Sequence, residues 1–202
     1  MIRYPKEILS ITTDCDLMIY GYVQMLFNGG YHINRFSIDC IKSATGISHN
    51  KVRESLQWLL DEGVIRKTNH NTYTALGNIL PKNNYIGIME DDLITIWEHK
   101  EAHKTLLHFI MLMGSRHSHK DFFIDKPYTV GFMARDYFCT QEGISPKTVS
   151  QYNSILEKIG VVYFYREREN TNIYGRVADK EYILRYAKKR TQKTVDKQHK
   201  TV

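Results

Sequence analysis

Few cysteines, no long apolar run and little net charge outside one end of the chain each rule something out. The three cysteines, Cys15, Cys40 and Cys139, are odd in number and lack paired spacing. They suggest neither a disulfide framework nor a cysteine-based zinc site. Cys40 and Cys139 lie in helices ahead of two turns and are expected as small buried thiols. No apolar run approaches a membrane span. Met1-Ile2-Arg3-Tyr4-Pro5 leads into no secretory hydrophobic segment, so a cytoplasmic protein without a membrane partner is expected. No nucleophile–base set, phosphate loop or metal cluster stands out, so an enzyme is the least favoured class and no cofactor is expected.

The net charge of +6 is concentrated. Lys188, Lys189, Arg190, Lys193, Lys197 and Lys200 face a single acid, Asp196, in the last fifteen residues, and the body is close to neutral. The high isoelectric point therefore does not by itself make the body a nucleic-acid binder. What matters is where the body's charges fall. With 42% hydrophobic and 12% aromatic residues, that body is globular.

What is present is a repeat. Gly46-Ile47-Ser48, Val52, Leu59 and Gly63-Val64 return as Gly143-Ile144-Ser145, Val149, Leu156 and Gly160-Val161, each displaced by 97 residues. Each Gly-Ile-Ser opens an amphipathic helix, and each Gly-Val closes it and starts a strand. This is the pattern of a helix-turn-helix with a β-wing behind it, written twice. A fold of this kind places one helix in the major groove, which makes double-stranded DNA the expected partner.

The fold class expected is α+β and mostly helical, with two tandem winged helix-turn-helix domains joined by a long helix. Domain one covers residues 1–80, a linker 81–92, domain two 93–187, and a basic tail, expected to be disordered, 188–202. In domain one, Asp14 to Phe27 carries a helical stripe at Leu17, Tyr20, Val23, Leu26 and Phe27, stopped at Asn28-Gly29-Gly30. Ser37 is expected to cap a helix through Thr45 with Ile38, Ile41 and Ala44 inward, and Ser48 to cap the next, to about Glu62. Strands at Val64–Lys67 and Thr72–Ala75 flank a polar tip, Thr68 to Asn71. Pro81 and Asn83-Asn84 break the chain ahead of acidic Glu90-Asp91-Asp92. The joining helix is expected over roughly Leu93 to Met113, and His117-Ser118-His119 as a polar loop. In domain two, Gly131 to Thr140 is expected as the leading helix and Ser145-Pro146 starts the next, to Ile159. A strand over Val161–Tyr165, a wing tip through Asn172 and a last helix from Asp179 to about Lys189 follow.

Residues Ile38 to Leu56, with Val52-Arg53-Glu54-Ser55-Leu56 after the turn and Glu62-Gly63-Val64 ending the helix, resemble the winged helix of the GntR-type regulators. That resemblance covers about thirty residues and implies a DNA contact for Arg53. No effector-binding domain of that kind follows. The whole layout resembles the helix-turn-helix proteins of Gram-positive phages and plasmids, in which Asn-X-Tyr-Gly-Arg follows the second wing, as Asn172-Ile173-Tyr174-Gly175-Arg176 does here. Plasmid replication initiators also carry two winged helices, although none of their other motifs is found.

The candidate DNA-binding residues are Ser48, His49, Asn50, Lys51, Arg53 and Gln57 of the first recognition helix, and Lys67 of its wing. In the second domain they are Ser145, Lys147, Thr148, Ser150, Gln151 and Ser154, with Arg166, Arg168 and Arg176 around the wing. Arginine reads guanine and asparagine or glutamine reads adenine bidentately, and wing cations suit phosphate. A plain solvated face competes for the helices, and cross-strand pairing with Glu167 and Glu169 competes for the second wing. His99 and His103 share metal-ligand spacing, but Lys100 stands where the zinc-protease pattern needs Glu, so a solvated face is expected and no metal. Tyr163-Phe164-Tyr165 serves core packing ahead of base stacking. The leading expectation is sequence-specific duplex DNA binding, by a transcription regulator or origin-binding factor of a mobile element. The alternatives are a plasmid or phage replication initiator, and a protein-interaction module. A homodimer or protein partner could engage residues 81–103.

Overall fold

A strand of alternating burial begins the chain: β1 (Ile2–Pro5) buries Ile2 and Tyr4 on one side. The computed structural model describes residues 1–28, 35–119, 128–133, 135–166, 172–185 and 187–188. These fall into two compact units, Met1–Met111 and Leu112–Val202. Both are α+β, with small antiparallel sheets.

In the first unit, helix α1 (Asp14–Asn28) opens on a reciprocal cap. Asp16 Oδ2 accepts from the Thr13 N–H at 2.9 Å, and Thr13 Oγ1 accepts from the Asp16 N–H at 3.3 Å. Leu17, Tyr20 and Val23 are buried as their spacing predicts, together with Met18, Ile19 and Gln24. The Gln24 amide satisfies the edge of β1, accepting from Arg3 N–H at 2.9 Å and donating to Arg3 carbonyl at 2.6 Å.

Strand β2 (Arg35–Ser37), helix α2 (Ile38–Thr45) and helix α3 (His49–Asp61) lead to the hairpin of β3 (Ile65–Asn69) and β4 (Thr72–Ala75). The sheet order is β2-β4-β3, with Phe36 opposite Tyr73 and their rings stacked at 6.1 Å. On α2 the inward positions are Ile38, Ile41 and Thr45. Ala44 is exposed, contrary to expectation, because the stripe steps by three and then four. Thr45 tolerates burial because its hydroxyl donates to the Ile41 carbonyl at 2.8 Å. The same phase leaves Cys40 exposed rather than buried.

Residues 81–92, expected as a linker, instead contain strand β5 (Tyr85–Ile88), paired antiparallel with β1 from Ile2↔Ile88 to Pro5↔Tyr85. The long joining helix is also corrected. Helix α4 (Glu90–Glu98) ends at His99, whose φ of −112° and ψ of 96° are extended. A 3-10 stretch over Lys100–Thr105 and helix α5 (Leu106–Gly114) follow. The two histidines stand at this break: His99 Nδ1 lies 2.8 Å from the Thr95 carbonyl and His103 Nε2 2.9 Å from that of Trp97. They bond carbonyls of the last turns of α4, which the helix itself leaves open. The acidic run is the first turn of α4, where Glu90 also receives the Met1 amino group at 2.8 Å. The boundary between the units falls within α5, not at residue 93.

In the second unit, β6 (His117–His119) is a strand rather than a loop, and β7 (Tyr128–Met133) replaces the first part of the expected leading helix. Tyr-Thr-Val-Gly-Phe-Met is rich in β-formers, and β9 supplies a partner. Helix α6 (Arg135–Glu142), helix α7 (Pro146–Lys158), β8 (Val162–Arg166) and β9 (Asn172–Arg176) follow. Sheet order is β6-β7-β9-β8. On α6 the deepest aromatic is Phe138, with Tyr137 49% exposed and Cys139 half-buried. Residues 180–185 and 187–188 are helical, and Tyr182, Ile183 and Ala187 join Val130 and Ile173 in a core. Tyr163 and Tyr165 pack against that core and Phe164 is buried, so the aromatic run serves packing. Gly29-Gly30, residues 167–171 of the expected second wing (Arg168 among them) and residues 189–202 of the tail lie outside the described residues.

Candidate nucleic-acid interface

The two units repeat one local backbone structure, down to several of its hydrogen bonds. Gly46 and Gly143 take φ of 68° and 65°, a left-handed conformation that ends α2 and α6 at little cost only for glycine. Val52 N–H donates to the Ser48 carbonyl and Val149 N–H to that of Ser145, both at 3.0 Å. Val64 N–H then reaches Leu59, and Val161 N–H reaches Leu156, both at 3.2 Å. Helices α2 and α6, α3 and α7, and strands β3 and β8 all keep the 97-residue displacement at both ends, as His49–Asp61 and Pro146–Lys158 show. The hairpins that follow differ in length: β4 begins at Thr72, and β9 at Asn172.

Helix α3 is fixed by Val52, Leu56 and Leu59, each fully buried and each worth about 1.5–3 kcal/mol against exposure. A polar anchor adds to this. Ser55 is buried on α3, and its hydroxyl donates to Asp16 Oδ1 at 2.5 Å. Asp16 thus caps α1 and holds α3 at once. Neither role was assigned to it from the sequence, although Thr13-Asp14-Cys15-Asp16 before an apolar run has the form of a capping box. Asp14 Oδ1 accepts from the Leu107 N–H at 2.7 Å, tying α1 to the start of α5. Burial raises the pKa of half-buried Cys15 between these acids.

The opposite face of α3 is open. Ser48, His49, Asn50, Lys51, Arg53 and Gln57 are all exposed. Lys51 Nζ lies 3.6 Å from Glu54, and Gln57 Nε2 donates to Asp61 at 2.9 Å. Ser48 does not cap with its side chain, contrary to expectation; only its carbonyl engages the helix. On β3, Arg66 and Lys67 point to solvent and the tip turns at His70-Asn71. Arg35 on β2 and Lys42 on α2 are exposed cations that sequence reasoning passed over, because neither lies in the repeated motif.

On α7, Val149 and Leu156 are buried, while Lys147, Ser150, Gln151 and Ser154 are exposed and Thr148 is half-buried. Ser145 caps as expected, accepting from the Thr148 N–H at 3.1 Å. Arg166 at the end of β8 is engaged by α7: its Nη2 lies 2.7 Å from Glu157 Oε2. Arg176 is half-buried at the end of β9, opposite Val162 of β8. The motif around it has a structural role. The Tyr174 hydroxyl donates to the Leu112 carbonyl at 3.2 Å and meets the Ser115 hydroxyl.

No protein-family model, curated protein or solved structure matches this chain. Among the described residues, no helix is long and apolar enough to cross a membrane.

Proposed function

We propose that the chain carries two winged helix-turn-helix domains in tandem and binds duplex DNA sequence-specifically, with α3 and α7 as the recognition helices. The observation that carries this reading is the repeated unit itself. In each, a glycine turn, a helix with a polar N-terminal half, and an antiparallel hairpin follow in one order with matching hydrogen bonds. A helix held by buried apolar anchors, three on α3 and two on α7, and open along its other side suits the width of the major groove. Arg53 is the guanine reader of α3, Asn50 and Gln151 are adenine readers, and Arg66, Lys67 and Arg166 are backbone contacts. The protein acts in the cytoplasm as a transcription regulator or origin-binding factor of a mobile element, and as a binding protein rather than an enzyme. The test is enrichment from a pool of randomised duplexes. Recovery of a common sequence, bound about a thousandfold more tightly than a scrambled duplex of equal length, is the expected result. Equal affinity for both would overturn sequence specificity.

A further inference from the structure

We propose that the two recognition helices read base edges of opposite hydrogen-bond polarity, so that the target is a composite of two unlike elements rather than a repeat of one. This rests on the assignment of α3 and α7 to the major groove.

The contrast lies at corresponding positions. Arg53 of α3 and Ser150 of α7 are displaced by the same 97 residues as the turns, as are Gln57 and Ser154. On α3 the contrast is carried by the exposed Arg53, which has only donors; Lys51 beside it lies 3.6 Å from Glu54, and the Gln57 amide N–H donates to Asp61 at 2.9 Å. A donor at this position fits acceptor edges, and in the major groove guanine offers the N7 and O6 pair.

On α7 the same stretch has the reverse character. The Ser150 hydroxyl donates to the Pro146 carbonyl at 3.0 Å, and the Ser154 hydroxyl donates to the Ser150 carbonyl at 3.0 Å. With each proton committed to the turn below, the two oxygens present lone pairs outward. Both residues are exposed, and one helical turn separates them along a single face. An acceptor face of this kind fits amino edges, which in the major groove are adenine N6 and cytosine N4. Gln151 beside them both donates and accepts, as adenine requires. Lys147 supplies a cation at the start of the helix.

The experiment is selection from a randomised duplex pool by the full chain in four forms: wild type, Arg53→Ala, Ser150→Ala with Ser154→Ala, and Ser150→Arg. Thermal melts check that each form folds; the substituted side chains are exposed. Wild type is expected to enrich two different elements. Arg53→Ala should lose about tenfold of the guanine preference in one element and leave the other intact. The paired serine substitution should flatten an adenine or cytosine preference by several-fold in the second element alone. Ser150→Arg should convert that position toward guanine, which a merely structural serine would not do. Enrichment of two copies of one element, or serine variants with wild-type preferences, would overturn the polarity assignment while leaving DNA binding intact. No enrichment by any form would overturn the groove assignment on which it rests.

Discussion

The ring of Tyr174 lies across the backbone of Gly131, so close that a Cβ built on the glycine would stand 2.1 Å from Tyr174 Cζ. Gly131 sits opposite Tyr174 in the β7–β9 register, and Tyr174 is among the largest fully buried side chains. The first unit has a counterpart, with Tyr4 over Gly21 of α1. Gly131→Ala should therefore destabilise the protein by about 3 kcal/mol, the cost of overpacking a filled site. Chemical denaturation measures it. An alanine variant within 0.5 kcal/mol, on the order of a neutral surface change, would mean the ring moves freely aside.

Burial also gives Tyr174 a part in the alkaline behaviour of the second unit. Tyr174 has its pKa raised to about 12 by burial, against a smaller lowering from the Ser115 hydrogen bond. A group whose folded pKa lies above its unfolded value of about 10 stabilises the fold fully below pH 10, and that contribution fades as the pH rises toward 12. Tyrosinate absorbance should thus show a late fraction that ionises together with loss of near-ultraviolet circular dichroism. Tyr174→Phe should retain more structure above pH 10 than wild type, since it has no proton to lose.

Much of the repeated unit could be read in advance because it is encoded locally. A helix period, a left-handed glycine and a cap are each set within a few residues. The bounds of α3 and α7 and the buried positions Val52, Leu59, Val149 and Leu156 follow from that pattern. What escaped depends on distant partners. Strand β5 needs β1, more than eighty residues away, and β7 needs β9. The end of α4 at His99 has no proline or glycine to announce it. Ser145 caps with its side chain and Ser48 does not, although both end the same Gly-Ile-Ser tripeptide.

The β1–β5 pairing bears on where the first unit ends. A fragment ending at Leu80 would lose β5 and α4 and uncover Ile2 and Tyr4. A fragment of residues 1–114 keeps both and closes α5. The shorter fragment should melt at a temperature lower by at least about 10 °C, since several buried side chains are lost. Equal melting would mean that β5 and α4 contribute nothing to the unit.

Glu157 holds the cation that ends β8, Arg166. Its ion pair with Arg166 is exposed on the arginine side, so Glu157→Gln should cost less than about 1 kcal/mol of stability. It removes an acid beside the proposed interface and frees the guanidinium. Affinity for any duplex should rise a few-fold at low salt, with a salt dependence steeper by about one charge. Titrations of a scrambled duplex at several salt concentrations measure both.

Fluorescence anisotropy on the selected duplex and on a scrambled duplex, with Arg53→Ala and Gln151→Ala beside wild type, tests the groove assignment most directly. Both side chains are exposed on helices whose burial lies elsewhere, so folding should be unaffected. Each variant is expected to lose about 1–3 kcal/mol on the selected duplex and little on the scrambled one. Wild-type affinity for the selected duplex in both variants would contradict the reading of α3 and α7 as recognition helices.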